Sequence, residues 1–223
     1  MHTSESEFPA VPAPWTLQGR GLIVLARMPA ALLDQHNFLP DTLKGSRRGQ
    51  LGAMMFVDYA SSPVGPYQEL LFVPGTVLFG QRRCRTISRI FVSTMESVVN
   101  GRRNWGIPKD LCQFKVQENP DSGVISVDIS LDNQRIGEFA YSSGKLSLPV
   151  TSALCPKSLL TLGQRWEQQD YFYTPAARGS VSRAQIQHMH FNQEFFPDIT
   201  RGSMQLALAV PKFEMVFSEC ENK

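Results

Sequence analysis

The sequence predicts an α+β fold that is predominantly β, a curved antiparallel sheet or barrel with a few short helices. Apolar or alternating segments recur at short spacing along most of the chain. Clusters of Pro, Gly, Asn and Asp separate them, as at Pro63-Val-Gly-Pro66, Asn119-Pro-Asp-Ser-Gly123 and Asp132-Asn-Gln134. No internal repeat or low-complexity run interrupts the pattern. With 223 residues, 42% hydrophobic and 19% charged, the chain can bury one sizeable core. Residues 15–223 therefore read as a single domain. Residues 1–14, with prolines at 9, 12 and 14, read as an extended arm that lies on the surface or reaches a neighbouring subunit.

In chain order, Trp15 to Met28 reads as a strand, and Pro29-Ala-Ala-Leu-Leu-Asp34 opens a short helix with proline in its first turn. Leu51 to Ser61 is apolar and short enough for a strand buried on both faces. A proline-glycine turn separates it from Tyr67 to Val73, where alternation puts Tyr67, Glu69 and Leu71 on one side. Pro74 to Gly80 reads as a loop and hairpin turn, and Arg85 to Thr94 as one further strand. The segment from Glu96 begins as a short helix, which Gly101, Gly106 and Pro108 loosen and end. Gln113–Glu118, Val124–Leu131 and Arg135–Tyr141 follow as hairpin strands. Leu146–Val150, Trp166–Tyr173, Val181–Phe191 and Gln205–Phe217 are the last strands expected.

The residue with the most chemistry is Lys109, at an elbow fixed by Pro108 and flanked by Trp105, Ile107, Leu111 and Phe114. It is either a surface lysine after a proline turn or a desolvated amine, for which burial penalises the charged form and frees a nucleophile. The stretch Arg102 to Leu111, taken with Pro14 to Arg20 and Val64-Gly-Pro-Tyr-Gln-Glu69, resembles the acetoacetate decarboxylase family over roughly residues 14–115. The resemblance implies that family's fold and a Schiff base between Lys109 and a keto acid. It also implies Glu69 as a pocket acid/base and Arg20 as the guanidinium fork for a substrate carboxylate. Tyr67, Glu96, Met54, Phe38 and Trp105 are the expected substrate-binding residues, with Leu33 and Leu39 as further members of an apolar lid.

Two positions depart from the family. Asp110 stands where its decarboxylases carry a second lysine, and beside an amine it would favour the ammonium. Gly52 stands where a second pocket glutamate is expected. Three functions remain open: a lysine-imine enzyme on a keto acid or related carbonyl compound, a carbon-carbon lyase of decarboxylase or aldolase type; an isomerase or cyclase using Glu69, Tyr67 and Arg20 without an imine; and a ligand-binding protein without catalysis.

Formal charge is +2 with dispersed Lys and Arg, so neither nucleic acid nor a membrane surface is an expected partner. The family's habit implies a homo-oligomer. Cys84, Cys112, Cys155 and Cys220 are too widely spaced for a zinc ribbon or redox dithiol. His188 and His190 share a strand face but lack a third ligand nearby in sequence, so no metal and no cofactor is expected. The first residues do not read as a signal peptide, and no apolar run approaches the length of a membrane span. Reduced thiols and a cytoplasmic location are the expectation.

Overall fold

The computed structural model describes residues 7–221. Residues 1–6 of the expected arm lie outside the described residues. β1 (Trp15–Arg27) leads to α1 (Ala30–Gln35), and after β2 (Arg47–Arg48) come β3 (Leu51–Ser61), β4 (Tyr67–Val73), β5 (Thr76–Phe79), β6 (Arg82–Arg85) and β7 (Arg89–Val92). α2 (Met95–Trp105) delivers the chain to β8 (Lys109–Leu111) and β9 (Gln113–Glu118). β10 (Ile125–Leu131), β11 (Gln134–Thr151), α3 (Lys157–Leu160), β12 (Leu162–Trp166), β13 (Gln169–Tyr173), β14 (Ala176–Phe191) and β15 (Ser203–Phe217) complete it.

Ten strands form one sheet in the order β8-β7-β4-β3-β1-β15-β14-β11-β10-β9, antiparallel except for β7 with β8. Its two edge strands, β8 and β9, are separated in sequence by Cys112 alone. The sheet must therefore curl until its edges meet, which makes a nearly closed barrel. A second sheet, β13-β12-β6-β5-β2, packs beside it.

Because side chains alternate along a strand, each strand near α2 serves two cores. Leu22, Val24, Met54, Phe56, Leu70, Phe72 and Phe91 face the barrel interior, with Val127, Ile129, Phe139 and Phe191 from the other half of the sheet. Leu17, Tyr59, Tyr67, Leu71, Ile90 and Val92 face outward, where Trp15, Ile87, Val98, Trp105, Ile107 and Tyr173 cover them. Helix α2 lies over this outer face. It ends at Gly106, whose φ of 61° is left-handed, and the N–H groups of Gly106 and Ile107 return to the carbonyls of Arg102 and Gly101. Pro108 then forbids further helix, and the chain enters β8 extended.

Four local expectations need correction. The segment Pro74–Gly80 contains β5 rather than only a loop. The expected strand Arg85–Thr94 is two, because β6 ends in the second sheet and β7 begins in the first. The expected strand Trp166–Tyr173 is the hairpin β12–β13, which turns at Glu167 and Gln168 with φ of 49° and 66°. Arg135–Tyr141 and Leu146–Val150 belong to a single long β11, with a register shift between Ser143 and Ser147. No helix among the described residues is long and apolar enough to cross a membrane.

Candidate active site

Register and helix packing bring the polar groups together. Tyr59 of β3 pairs with Tyr67 of β4, Glu69 of β4 with Val92 of β7, and Ile90 of β7 with Lys109 of β8. Alternation then puts Tyr59, Tyr67, Glu69 and Lys109 on the outer face, beneath α2. The stem of Lys109 crosses that helix at Gly101, where a Cβ would lie 2.6 Å from Cδ of the lysine. One turn earlier, Ser97 presents its hydroxyl. Glycine and serine four residues apart thus make a groove for the stem and an acceptor for its head.

Lys109 and Glu69 are 3% and 5% exposed. Nζ of Lys109 donates to Oε2 of Glu69 at 2.9 Å, to Oγ of Ser97 at 3.0 Å and, at 3.5 Å, to the phenol oxygen of Tyr67. The Tyr59 hydroxyl donates to the other carboxylate oxygen at 3.3 Å. Trp15, Leu17, Ile87, Ile90, Trp105, Ile107 and Phe217 complete the walls of a chamber of ≈ 20 Å³, room for about one water.

This electrostatic arrangement corrects the expectation of a resting neutral amine. Burial pushes Lys109 toward the neutral form, but Glu69, with Tyr67 behind it, pulls harder the other way and leaves its pKa raised. Burial, with the nearby Glu69 charge, holds the Tyr59 phenol well above its usual value. Burial raises Tyr67 too, against the pull of Lys109. Both phenols are hydrogen-bond donors at neutral pH.

Asp110 does not join the chamber. Its side chain lies on the opposite face of β8, where Arg89 reaches Oδ2 at 2.5 Å and Arg102 reaches Oδ1 at 3.2 Å. Arg102 also donates to the backbone carbonyl of Lys109 at 2.7 Å, so these charges hold the strand that carries the lysine and leave its amine to Glu69.

Of the expected site residues, Lys109, Glu69, Tyr67 and Trp105 come together; four do not. Arg20 lies on the other face of β1, held by Asp58 at 3.1 Å and Glu118 at 2.5 Å, so the expected carboxylate anchor is absent from the chamber. Met54 points into the barrel interior. Phe38 packs over the Arg89 guanidinium, 5.4 Å from ring centre, and Glu96 is exposed on α2. Leu33 and Leu39 serve two other apolar clusters. Gly52 faces Met28 and Phe72, where a Cβ would come within 2.8 Å of the Met28 sulfur and 3.1 Å of the Phe72 ring, so a larger side chain there requires its neighbours to shift. Tyr59 and Ser97 were not expected; the pairing of Tyr59 with Tyr67 across one short hairpin was the available signal for the first.

No group of three His, Cys, Asp or Glu side chains that could hold a metal converges among the described residues. A larger groove, ≈ 1150 Å³, opens between β14 and β15, but no carboxylate, thiol or imidazole lines it.

Fold and site together define a class: a mostly β protein that keeps a buried lysine and carboxylate paired between a curved sheet and a short helix. The sequence profile of the family described as Acetoacetate decarboxylase (ADC) matches residues 1–212, and the chain belongs to that family. Among solved structures it is similar to the acetoacetate decarboxylase of Legionella pneumophila subsp. pneumophila str. Philadelphia 1, with TM-score 0.65 and 12% identity over 96% of this chain and 87% of that one. It is likewise similar to the enduracididine biosynthesis enzyme MppR complexed with pyruvate, with TM-score 0.62 and 13% identity over 95% and 90% of the two chains. At such identities the likeness is one of fold. The Protein NEOXANTHIN-DEFICIENT 1 of Oryza sativa subsp. japonica is 30% identical over 107 residues, which are 47% of this chain and 35% of that protein. Its Arabidopsis thaliana counterpart is 26% identical over 103 residues, 45% and 36% of the two. The chain thus spans about a third of the length of these curated relatives.

Proposed function

We propose that the protein is an enzyme acting on a keto acid or related carbonyl compound through a Schiff base on Lys109, with Glu69 as acid and base. The observation that carries this reading is the 2.9 Å contact between Nζ of Lys109 and Oε2 of Glu69, both buried, beside a small chamber with mostly apolar walls. The reaction begins when Glu69 takes a proton from the ammonium and frees its lone pair. The amine adds to the carbonyl carbon, the hydroxyl of the resulting carbinolamine takes a proton from Glu69 and leaves as water, and an iminium remains. Its charge accepts the electron pair released when the bond from the α-carbon to the departing carbon breaks, so that CO₂ or a carbonyl compound leaves and an enamine remains; reprotonation of the enamine at carbon followed by hydrolysis returns the amine. Tyr59 supplies a hydrogen bond to Glu69 throughout, and Ser97 an acceptor that orients the amine. MppR, which shares the fold, has been solved with pyruvate and with a condensation product of pyruvate and imidazole 4-carboxaldehyde, which supports small carbonyl substrates.

Incubation with acetoacetate, pyruvate and larger keto acids, each followed by borohydride, is expected to add the reduced substrate's mass at Lys109. A panel without any adduct overturns the imine. The raised pKa of Lys109 favours a second reading, in which the ammonium stays charged and stabilises an enolate while Glu69 moves the proton, as in an isomerase or cyclase. That reading expects no adduct and turnover abolished by Glu69→Gln.

Self-association belongs to the same proposal. Leu146, Leu148 and Val150 are exposed along β11, whose residues 147–151 pair with β14 alone among the described strands. Light scattering tests it. The proposed compartment is the cytoplasm, supported by four cysteines that are all free.

A further inference from the structure

The chamber beside Lys109 holds about one water, and a keto acid is several times larger. A wall must therefore move before any carbonyl compound reaches the amine. Tyr59, Tyr67, Glu69 and Ile90 lie in strands paired on both sides. Trp105 is held by its indole N–H, which donates to Ser218 O at 2.7 Å, and by edge contacts with Trp15 and Phe217. Trp15 is held differently. It is the first residue of β1 and pairs with Phe217 on one side only, since pairing with β3 begins at Gln18.

What fixes Trp15 is the segment before it. Its indole N–H donates to Val11 O at 3.1 Å. That same carbonyl accepts from Nδ2 of Asn104 at 2.8 Å, while Val11 N–H donates to Oδ1 of Asn100 at 2.8 Å and Nδ2 of Asn100 donates to Pro9 O at 3.1 Å. Asn100 and Asn104 are buried and stand four residues apart on α2, on the same buried face of the helix as Ser97 and Gly101, which meet the lysine. Residues 9–14 have no strand partner, and Pro9, Pro12 and Pro14 bring no N–H of their own. Two amide side chains thus latch a short strap over the helix, and the strap holds the indole that closes the chamber.

Resting on the proposed chemistry at Lys109, we propose that residues 9–14 are the lid of the lysine chamber and that Trp15 is the residue that sets the size of carbonyl compound admitted. When the latch opens, the indole swings out with the strap and leaves space bounded by Leu17, Ile87, Trp105 and Phe217. The side chain at position 15 then decides how much of an apolar substituent fits beside the carbonyl.

Two measurements on the full-length protein test this. In the first, pyruvate and phenylpyruvate are compared by borohydride trapping at Lys109. Wild type is expected to trap pyruvate about tenfold faster or more, the scale on which apolar pockets discriminate size, and Trp15→Ala to bring the two rates within about threefold. Trp15→Phe is expected in between, and it serves as the test if the alanine variant does not fold. Unchanged selectivity in both variants, or equal broadening by Phe217→Ala, overturns the role of Trp15. In the second, cyanate, a small amine reagent that needs no imine, is used to carbamylate Lys109 at pH 9, with surface lysines as internal standard. Asn100→Ala/Asn104→Ala is expected to label about a hundredfold faster, as loss of three hydrogen bonds near 1 kcal/mol each implies. The Asn100→Ala single variant is expected to label at an intermediate rate, and it carries the test if the pair unfolds. Labelling equal to wild type overturns the lid. If no keto acid traps in any variant while cyanate still separates the latch variants, the imine fails and the lid stands.

Discussion

The two faces of β3, β4 and β7 are built from alternate residues of the same strands and differ completely in chemistry. The inner face carries Met54, Phe56, Leu70, Phe72 and Phe91, with charge confined to Asp58 and Arg89, each paired near an end of its strand. The outer face carries Tyr59, Tyr67 and Glu69, and across from them Lys109. Both are dry, but the inner one is filled by shape and the outer by a matched set of donors and acceptors. Shape errors in a core can relax, whereas a buried charge without its partner cannot.

The largest effect expected from this contrast is on the outer face. Glu69→Ala leaves the ammonium buried alone and should cost about 3–5 kcal/mol, while Lys109→Met/Glu69→Leu, which removes both charges, should unfold near the wild-type urea midpoint or above it. Equal losses in the two variants would show that packing, not charge matching, governs this face. On the inner face, Leu70→Ala should cost about 2–5 kcal/mol in the same urea titration and leave labelling of Lys109 unchanged. Gly101→Ala sits between the two regimes. Its new methyl would collide with the lysine stem, costing about 1–3 kcal/mol, against about 1 kcal/mol gained from better helix propensity. A small net change in thermal midpoint is expected, together with slower imine trapping.

The smallest effect is on pH dependence. A raised lysine pKa contributes stability that is fully present below the unfolded value, about 10.4, and is lost as pH rises through the folded one. Wild type should therefore lose more stability between pH 9 and 11 than the double variant lacking both charges. The phenol of Tyr59, also raised, acts in the same direction.

Much of this contrast was legible in the chain. Alternation along Leu51–Ser61 and Tyr67–Val73, with prolines marking the turn between them, put Glu69 and Tyr67 on one face and gave both strands their limits. The glycine and proline after Trp105 marked the end of α2, and so the position of Lys109. What alternation cannot express is which face meets which neighbour. Met54 and Arg20 were expected at the amine, yet both fall on the inner side of their strands. Ser97 joins the site only through helix-on-strand packing. Asp110 looked hostile to the amine because it is adjacent in sequence, but neighbours along a strand point apart, and it serves Arg89 and Arg102 instead. The hairpin at Glu167–Gln168 was hidden because neither residue is a usual choice for positive φ.

Among the described residues, the side chains that hydrogen-bond the Lys109–Glu69 pair, Tyr59, Tyr67 and Ser97, lie between Tyr59 and Lys109, a run that ends three residues before Cys112. Beyond that cysteine the chain supplies the other half of the barrel and, at Phe217, one apolar wall. The reactive apparatus is thus written in one uninterrupted portion of the polypeptide. Chimeras that graft a foreign C-terminal half at this seam would exchange the scaffold while leaving the chemistry in place.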